Sequence, residues 1–326
     1  MPRAIVCTRL GSPETLQIVS QPHAALGDGE VRVAVRAAGL NFPDLLMIEG
    51  KYQLKPELPF VPGMEAAGDV IEAAVDVTGV RPGDKVMVKM RHGAFAEEVV
   101  VAARQLAPLP ACFDYAEGAT FMAAHGTAHY ALTDRAAIAP GEVLLVHGAG
   151  GGVGLAAVEI GKILGATVIA AASSEAKLDV ARARGADLTI RYGAEPLRDA
   201  VKRLTDGRGA DVVFDPVGGA VFEESLRCIA WGARLLVIGF AGGIGQAATN
   251  LVLIKGASVI GVRAGEAVRR APALGVARQR ALLELARQGK VRPNVSHRVP
   301  FEDVAEAMRL VAERRAIGRV ALVMPS

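Results

Sequence analysis

The first third of the chain alternates short apolar segments with polar turn residues, a pattern typical of β-strands. Two of the turns are Gly27-Asp28-Gly29 and Arg81-Pro82-Gly83-Asp84, whose glycines and proline interrupt regular structure. A short helix is predicted over residues 41–47. Strands are predicted over residues 4–8, 17–20, 30–38, 68–73, 85–89 and 94–101. The pattern therefore predicts a β-rich, barrel-like domain over residues 1–120.

From residue 115 the apolar spacing becomes helical, and strands then alternate with helices as far as residue 262. Helices are predicted over residues 115–132, 176–184, 196–204 and 219–230, and strands over 186–190, 211–215, 234–239 and 252–262. Such alternation predicts right-handed crossovers and a parallel sheet covered by helices on both faces, here within a domain of residues 121–262. The remainder, 263–326, begins with a basic, irregular stretch. It then predicts helices over 277–288 and 301–313 and strands over 295–300 and 319–323.

The most informative segment is 142–174, in which an apolar run, a glycine cluster and a helical stripe follow one another. The runs 143–147 and 167–172 predict strands, and the stripe that begins at Leu155 predicts a helix between them. The glycine cluster contains Ala149-x-Gly151-x-x-Gly154, where the absence of a side chain lets backbone approach a phosphate and lets the helix lie close to the strand. The segment predicts a βαβ unit that binds the pyrophosphate of a dinucleotide through Gly150, Gly151, Gly152 and Val153.

The residues that follow the second strand of this unit determine which dinucleotide is expected. An enzyme that uses NAD places an acidic side chain there for the 2′-hydroxyl of the adenine ribose. This chain has Ser173 and Ser174 instead, and Lys177 follows on the next helix. Hydroxyls and a cation favour a 2′-phosphate, and therefore NADPH. Glu175 is a counter-signal, although its place in a first helical turn also fits stabilisation of the helix dipole.

Composition excludes several other classes of protein. Of the 326 residues, 51% are hydrophobic and 22% are charged, and the net charge of +3 comes from scattered residues. No basic stripe predicts nucleic-acid binding, and no window reaches the about 18 apolar residues of a membrane helix. Cys7, Cys112 and Cys228 are isolated, which favours a reducing, cytoplasmic location. The histidines show no metal-binding spacing.

Several separate motifs, in the same order, resemble the zinc-free quinone oxidoreductase branch of the medium-chain dehydrogenase/reductase superfamily, which includes zeta-crystallin. The resemblance covers almost the whole chain. It implies an α/β fold in which a GroES-like β-barrel catalytic domain accompanies a Rossmann sheet, with the C-terminal segment returning to the barrel. The motifs are Gly39 to Asp44, Pro62 to Gly68, Arg81 to Val86, His125 to Ala128, Gly148 to Gly154, Asp215 to Gly219, and Gly318-Arg319.

The resemblance also indicates that no metal is bound. Zinc alcohol dehydrogenases of this superfamily have a cysteine where this chain has Asn41 and a histidine where it has Met64. Three scattered cysteines cannot supply a four-thiolate structural site either. Glu65 is retained, and we interpret it as a buried structural carboxylate.

Other site residues follow from the resemblance. Ser173, Lys177 and Tyr192 match positions that hold the 2′-phosphate, and Gly239 and Phe240 match the loop beside the nicotinamide. Asn41 and Thr127 match contacts to the nicotinamide ribose and the phosphates, and Arg319 is expected to complete the site. The structural alternatives are that Tyr192 caps a strand end, that Phe240 belongs to the core and that Arg319 is a solvated charge.

The catalytic hydroxyl is less well defined. Relatives often have tyrosines where this chain has Leu46 and near Arg263, so Tyr52 is the remaining hydroxyl for polarising or protonating a substrate, with Asn41 as a second polar group. An exposed loop aromatic is the alternative for Tyr52.

Together these features predict an NADPH-dependent reductase of quinones or α,β-unsaturated carbonyls, including enones, enals and enoyl thioesters, that transfers hydride without a metal. The alternatives are a zinc-type alcohol dehydrogenase and a non-catalytic NADPH-binding protein of the crystallin kind, some of which bind RNA. A homodimer is expected through the apolar segment 251–262, because an apolar edge strand left bare invites uncontrolled pairing.

Overall fold

The computed structural model describes residues 1–325, and they divide into two compact units. The first unit contains residues 1–123 together with the C-terminal segment from Arg292 onward, and the second contains 124–291. The division expected from the sequence returned the chain to the first domain at residue 263. In the structure, residues 263–291 belong to the second unit.

The first unit is built on a mostly antiparallel sheet of seven strands. The sheet order is β14-β15-β3-β4-β5-β7, with β6 paired to β3, while β1 and β2 form a separate hairpin. The strands are β1 (Arg3–Cys7), β2 (Leu16–Ser20), β3 (Glu30–Gly39), β4 (Glu65–Ala73), β5 (Lys85–Lys89), β6 (Glu98–Ala102), β7 (Leu106–Pro108), β14 (Val295–Pro300) and β15 (Arg319–Val323). The helices are α1 (Phe42–Ile48), α2 (Tyr115–Ala119) and α11 (Val304–Ala312), with short 3-10 turns at Pro13–Thr15, Ala103–Gln105 and Phe301–Asp303.

The strand register of the first unit brings three distant segments to one place. Gly39, the last residue of β3, pairs with Glu65 on β4 and with Ala321 on β15. A Cβ atom on Gly39 would overlap the carbonyl oxygen of Ala119, so a side chain there would push α2 away from the sheet. This close packing places the start of α1, the start of β4 and the start of β15 beside one another.

The second unit contains the predicted parallel sheet, which is confirmed. Its six strands lie in the order β10-β9-β8-β11-β12-β13, the doubly wound arrangement in which the chain starts at the centre and reverses direction there. The strands are β8 (Val143–Val146), β9 (Thr167–Ala172), β10 (Leu188–Arg191), β11 (Ala210–Asp215), β12 (Ile229–Val237) and β13 (Ser258–Gly261). All four residues of β8 are buried, as expected for a central parallel strand.

The helices of the second unit follow the strands, as predicted for successive crossovers. They are α3 (Met122–His129), continued by a π-helical segment at Tyr130–Arg135, then α4 (Gly152–Ile163), α5 (Glu175–Ala183), α6 (Leu197–Leu204), α7 (Gly219–Ser225), α8 (Thr249–Lys255), α9 (Ala264–Arg270) and α10 (Pro272–Arg287). No helix among residues 1–325 is long and apolar enough to cross a membrane.

Three predicted elements were partly wrong. The strand predicted over 252–262 is a helix, α8, followed by Gly256 in the left-handed conformation (φ 55°) and only then by the four-residue strand β13. The helix predicted over 219–230 ends at Ser225, and β12 begins at Ile229. The stretch after residue 263 was expected to be irregular, but it is helical. Pro272 does not interrupt it, because this proline lies in the first turn of α10, where its missing N–H has no cost.

Candidate active site

The glycine cluster forms a tight turn between β8 and α4. The N–H of Gly151 donates to the carbonyl oxygen of Gly148 at 2.9 Å. A Cβ atom on Gly154 would overlap the same oxygen, so the reason for glycine is crowding by backbone. The helix begins at Gly152, and its first N–H groups have no partner within the helix. The turn therefore presents backbone donors and a helix N-terminus, a geometry that fits a pyrophosphate.

Lys177 lies directly beside this turn. A Cβ atom built on Gly150 would be 2.6 Å from the Cβ atom of Lys177, so the lysine stem packs against the glycine. The lysine Nζ donates to the Oγ of Ser173 at 3.4 Å. Glu175, in the first turn of α5, pairs with Arg182 at 2.7 Å. The end of β9 thus presents a hydroxyl and a cation next to the glycine turn. The carboxylate of Glu175 is paired with Arg182 on the same helix.

Tyr192 follows the end of β10, and its hydroxyl is directed toward the same turn. The N–H of Gly148 donates to the tyrosine oxygen at 3.1 Å, and the Nδ1 atom of His147 lies 3.0 Å from it. His147 is fully buried, and its Nε2 atom lies 2.8 Å from the Oγ of Ser225. Tyr192 was expected at the 2′-phosphate. In this structure its hydroxyl contacts backbone and a buried histidine, and the role of His147 and Ser225 was missed by sequence reasoning.

The loop after β12 carries Gly239 and Phe240. It is held by backbone bonds to the neighbouring loop after β11, among them Ala241 N–H to the Pro216 oxygen at 3.2 Å. That neighbouring loop is fixed by Asp215, whose Oδ1 atom accepts from the N–H groups of Val217 and Gly218. Burial raises the pKa of Asp215. Phe240 is 47% exposed, so the alternative that it is a core residue does not describe its place.

In the first unit, Asn41, Glu65 and Arg319 form a buried cluster. The Nη2 atom of Arg319 donates to the Oδ1 of Asn41 at 3.0 Å and also to the Oε1 of Glu65. The side-chain amide of Asn41 donates to Glu65 at 3.1 Å and to the oxygen of Gly39 at 3.4 Å. The second oxygen of Glu65 accepts from the N–H of Ala123 at 2.8 Å. Arg319 is therefore a buried, paired cation and not the solvated charge of the alternative interpretation.

Asp44 is a further buried carboxyl group of this cluster that sequence reasoning missed. Its Oδ2 atom accepts from the N–H of Asn41 at 2.8 Å, and its Oδ1 atom has no hydrogen-bond partner within residues 1–325. Burial, reinforced by the charge of Glu65, raises the pKa of Asp44 to about 7. The available signal was the spacing Asn41-x-x-Asp44 before a helix, in which the carboxylate at the third helical position accepts from the N–H of the N-cap residue.

Tyr52 belongs to the first unit and Thr127 to the second. Tyr52 is half-buried, packs against the core of the first unit, and its backbone N–H donates to the oxygen of Leu46 at 3.0 Å. Thr127 is half-buried on α3. The structure thus brings together the residues around the glycine turn in one unit and Asn41 with Arg319 in the other. The catalytic role of Tyr52 and the cofactor role of Thr127 stay predictions.

Within residues 1–325, no three histidine, cysteine or acidic side chains come together as ligands for a metal ion. Asn41 and Met64 occupy the two positions at which the zinc enzymes of the resemblance have ligands. An amide and a thioether are poor substitutes for thiolate and imidazole as ligands of zinc.

A doubly wound sheet with a phosphate-binding glycine turn, joined to a mostly antiparallel unit formed by both ends of the chain, defines a two-unit, dinucleotide-dependent oxidoreductase. Two family comparisons agree with this class. Residues 27–111 match the alcohol dehydrogenase GroES-like domain, and residues 152–275 match the zinc-binding dehydrogenase family. The chain belongs to the quinone oxidoreductase branch of the medium-chain dehydrogenase/reductase superfamily, so the predicted family and fold class are confirmed.

Individual relatives cover nearly the whole chain. Quinone oxidoreductase-like protein 2 of Rattus norvegicus is 39% identical over 322 residues, which are 98% of this chain and 91% of that protein. The Escherichia coli quinone oxidoreductase complexed with NADPH is 28% identical, with a TM-score of 0.90 over 98% of this chain and 99% of that one. A structure described as an NAD-dependent alcohol dehydrogenase is 33% identical, with a TM-score of 0.90 over 99% of this chain and 100% of that one.

Proposed function

We propose that this protein is an NADPH-dependent reductase of quinones or α,β-unsaturated carbonyls that transfers hydride without a metal ion. The single observation that carries the cofactor choice is the position of Lys177, packed on Gly150 and bonded to Ser173 beside the glycine turn. A 2′-phosphate near these groups gains charge-assisted hydrogen bonds that the 2′-hydroxyl of NADH does not. The E. coli neighbour that is described with NADPH supports the same choice.

The residues around the turn fit a dinucleotide. The backbone at Gly150, Gly151, Gly152 and Val153 would surround the pyrophosphate. The N–H groups of Gly152 and Val153 would donate to it, because that of Gly151 already donates to Gly148. Ser173 with Lys177 would hold the adenosine phosphate. Gly239 and Phe240 are assigned to the nicotinamide, and Thr127 to the neighbouring ribose and phosphates. When bound, NADPH would supply a hydride, which is equivalent to one proton and two electrons, to a carbon of the enone or to the quinone.

The geometry of the buried cluster refines the role of Asn41. Both N–H groups of its amide are used, by Glu65 and Gly39, whereas among residues 1–325 its Oδ1 atom accepts from Arg319 alone. A carbonyl oxygen accepts two hydrogen bonds, so Asn41 would bind a ribose hydroxyl as an acceptor. Asn41 would then not donate to a substrate oxyanion, and Arg319 would act through its orientation of Asn41. Tyr52 is the proposed proton donor.

Asn41 and Met64, which stand where the zinc enzymes have metal ligands, favour conjugate reduction over ketone reduction. Hydride addition to a simple ketone leaves a strongly basic alkoxide, which zinc enzymes stabilise with the metal as a Lewis acid. Hydride addition to the β-carbon of an enone leaves an enolate, and addition to a quinone leaves a hydroquinone anion. Because the charge of these anions is delocalised, neutral hydrogen-bond donors such as Tyr52 are enough to stabilise it. The proton that completes the product comes from Tyr52 or from water.

The test supplies NADPH with an enone, a quinone and a matched saturated ketone, in the presence of a chelator, and identifies the products by mass spectrometry and NMR. We expect turnover of the enone and the quinone, with deuterium from labelled NADPH at the β-carbon of the enone product. Faster turnover of the saturated ketone, or an allylic alcohol as the main product of the enone, would contradict the proposal.

The two alternative functions give different results in the same experiment. A zinc-type alcohol dehydrogenase, favoured by the alcohol dehydrogenase neighbour, would contain stoichiometric zinc by elemental analysis and lose activity with the chelator. A cofactor-binding protein without turnover would shift NADPH fluorescence but leave its absorbance at a constant level with every substrate.

A further inference from the structure

A continuous chain of hydrogen bonds runs from the interior of the second unit to the glycine turn. It begins at Ser225 on α7, passes through the fully buried His147 at the end of β8, and reaches Tyr192. The last bond joins the tyrosine oxygen to the N–H of Gly148, the first residue of the turn. None of these bonds is needed to hold the sheet together, since the strands are paired by their own backbone groups.

The direction of every bond in the chain follows from its fixed end. The hydroxyl of Ser225 donates to the carbonyl oxygen of Val221 at 2.7 Å, so its oxygen accepts from the Nε2–H of His147. A neutral imidazole with a proton on Nε2 has an acceptor at Nδ1, so the hydroxyl of Tyr192 donates to Nδ1. The tyrosine oxygen then accepts from Gly148. The single hydroxyl proton of Tyr192 is thereby used inside the protein.

The hydrogen-bond chain keeps these donor and acceptor roles over the ordinary pH range. Burial lowers the pKa of His147 to about 3, and burial also raises the pKa of Tyr192 above its usual range. Both groups are therefore uncharged at neutral pH, and neither reverses its donor and acceptor roles.

Gly148 transmits this arrangement to the phosphate-binding backbone. Its N–H is held by Tyr192, and its carbonyl oxygen accepts from Gly151 at 2.9 Å and lies against the Cα of Gly154. Gly148 has a φ of 56°, a left-handed conformation that glycine adopts without the steric cost of a side chain. The bond to Tyr192 holds the peptide that precedes Gly148, and the bonds of Ala149 and Gly151 hold the peptide that follows it. The bond to Tyr192 therefore helps to orient the start of the turn, from which the N–H groups of Gly152 and Val153 follow.

We propose that Tyr192, His147 and Ser225 are positioning residues that hold the glycine turn in the orientation that binds the pyrophosphate, a group common to NADPH and NADH. The inference rests on the proposed dinucleotide function and deepens it. It gives Tyr192 a different role from the 2′-phosphate contact expected from the family resemblance. The two roles predict different dependence on the cofactor, because only NADPH carries the 2′-phosphate.

The test measures the dissociation constants of NADPH and NADH by isothermal titration calorimetry for the wild-type protein and Tyr192→Phe. Removing the hydroxyl leaves a buried N–H and a buried imidazole nitrogen without partners, and we expect both constants to rise by roughly five- to fiftyfold. Their ratio should stay within about twofold of the wild-type ratio. The kcat at saturating NADPH should change less than the KM for NADPH, a division that general loss of folded protein would not produce.

Two further variants complete the design. Ser225→Ala removes the far end of the hydrogen-bond chain. Because Ser225 is not one of the residues assigned to the cofactor, the variant should weaken the binding of NADPH and NADH in the same proportion. Tyr115→Phe is the matched control, since it deletes another tyrosine hydroxyl, bonded to Asp69 at 2.5 Å in the first unit, and should leave both constants unchanged.

Each outcome separates the inference from the function on which it rests. Weaker binding of NADPH alone in Tyr192→Phe would overturn the positioning role in favour of a direct phosphate contact. Unchanged binding of both cofactors in Tyr192→Phe, with a normal thermal midpoint, would also overturn it. If the wild-type protein bound neither cofactor, the proposed function would fail together with the inference, whereas wild-type binding with an insensitive Tyr192 contradicts the inference only.

Discussion

The guanidinium group of Arg319 lies against the carboxylate of Glu65 inside the first unit, with both side chains buried. The two residues are at the starts of β15 and β4, strands that both pair with β3. The C-terminal segment of the chain is therefore joined to the N-terminal sheet by a desolvated ion pair in addition to its strand pairing. An isolated charge left in such a place has a large free-energy cost.

We expect Arg319→Met to lower the free energy of unfolding of the first unit by about 3–5 kcal/mol, because Glu65 is left buried and unpaired. The double variant Glu65→Gln/Arg319→Met should recover part of this loss, since glutamine is neutral and still accepts from Ala123. Urea denaturation monitors both. As a control, Arg298→Met removes an exposed pair with Asp114 and should cost no more than about 1 kcal/mol. A double variant less stable than Arg319→Met would argue against the ion-pair explanation.

The second prediction concerns cofactor preference. Lys177→Ala should reduce the ratio of kcat/KM for NADPH to that for NADH by roughly ten- to a hundredfold, the range of about 1.5–3 kcal/mol for a hydrogen bond to a charged group. The matched control is Lys162→Ala. Lys162 is an exposed lysine on the preceding helix, α4, and is paired with Asp187. Steady-state kinetics with both cofactors gives the ratio. An equal ratio in wild type and Lys177→Ala would remove Lys177 from the proposed 2′-phosphate site.

The third prediction concerns the dependence of stability on pH. The pKa of Asp44 is about 7 in the folded protein, against 3.8 for an unperturbed aspartate, so the folded state binds more protons between these two pH values. Asp44 therefore contributes stability fully below about pH 4, and this contribution is lost as the pH rises to about 7. The groups that face Asp44 are Glu65, Arg319 and the N–H groups of Asn41 and Gly63.

Asp44→Asn removes this titration and keeps an oxygen that accepts from Asn41. Relative to the variant, the wild-type protein should lose up to a few kcal/mol of unfolding free energy between pH 4.5 and 7.5. Urea midpoints at several pH values measure the difference. Parallel pH profiles for the two proteins would show that Asp44 does not hold its proton in the folded state.

The fourth prediction concerns assembly. Among the residues that the structure describes, the edge strand β13 pairs only with β12. The preceding helix α8 exposes Leu253 by 79% and Ile254 by 64%. We propose that a second copy of the chain covers this edge, giving a homodimer in solution. Light scattering should give twice the chain mass, and Leu253→Asp should give a monomer at micromolar concentration. Val75→Asp, a fully exposed residue of the first unit, should leave the mass unchanged; a wild-type monomer would contradict the proposal.

The backbone of the glycine turn could be predicted because its residues are determined locally. Gly151 and Gly154 stand where backbone atoms would meet a side chain, and that demand appears in the sequence as glycine at fixed spacing. The pairing of Lys177 with Ser173 likewise lies within one helical turn. These residues lie close together around the end of β9, and their roles in cofactor binding stay predictions.

The hydroxyl of Tyr192 could not be oriented in the same way. Its partner His147 lies 45 positions away in the sequence, and Ser225, which is bonded to the other nitrogen of His147, lies 78 positions from that histidine. These contacts can be foreseen only once the order of the strands in the sheet is known. The strand prediction for 252–262 failed for another reason. Its apolar residues satisfy both a strand and a helix pattern, and Gly256 ends the helix in a conformation that a side-chain pattern does not record.

The contact between Gly150 and Lys177 has a consequence for any attempt to change the cofactor. Because the lysine stem occupies the space of a side chain at position 150, the two positions cannot vary independently. Shortening Lys177 removes its Cγ and Cδ atoms but keeps a Cβ atom that would lie 2.6 Å from a side chain at position 150. A change of preference toward NADH would therefore be made at position 177, with Gly150 kept.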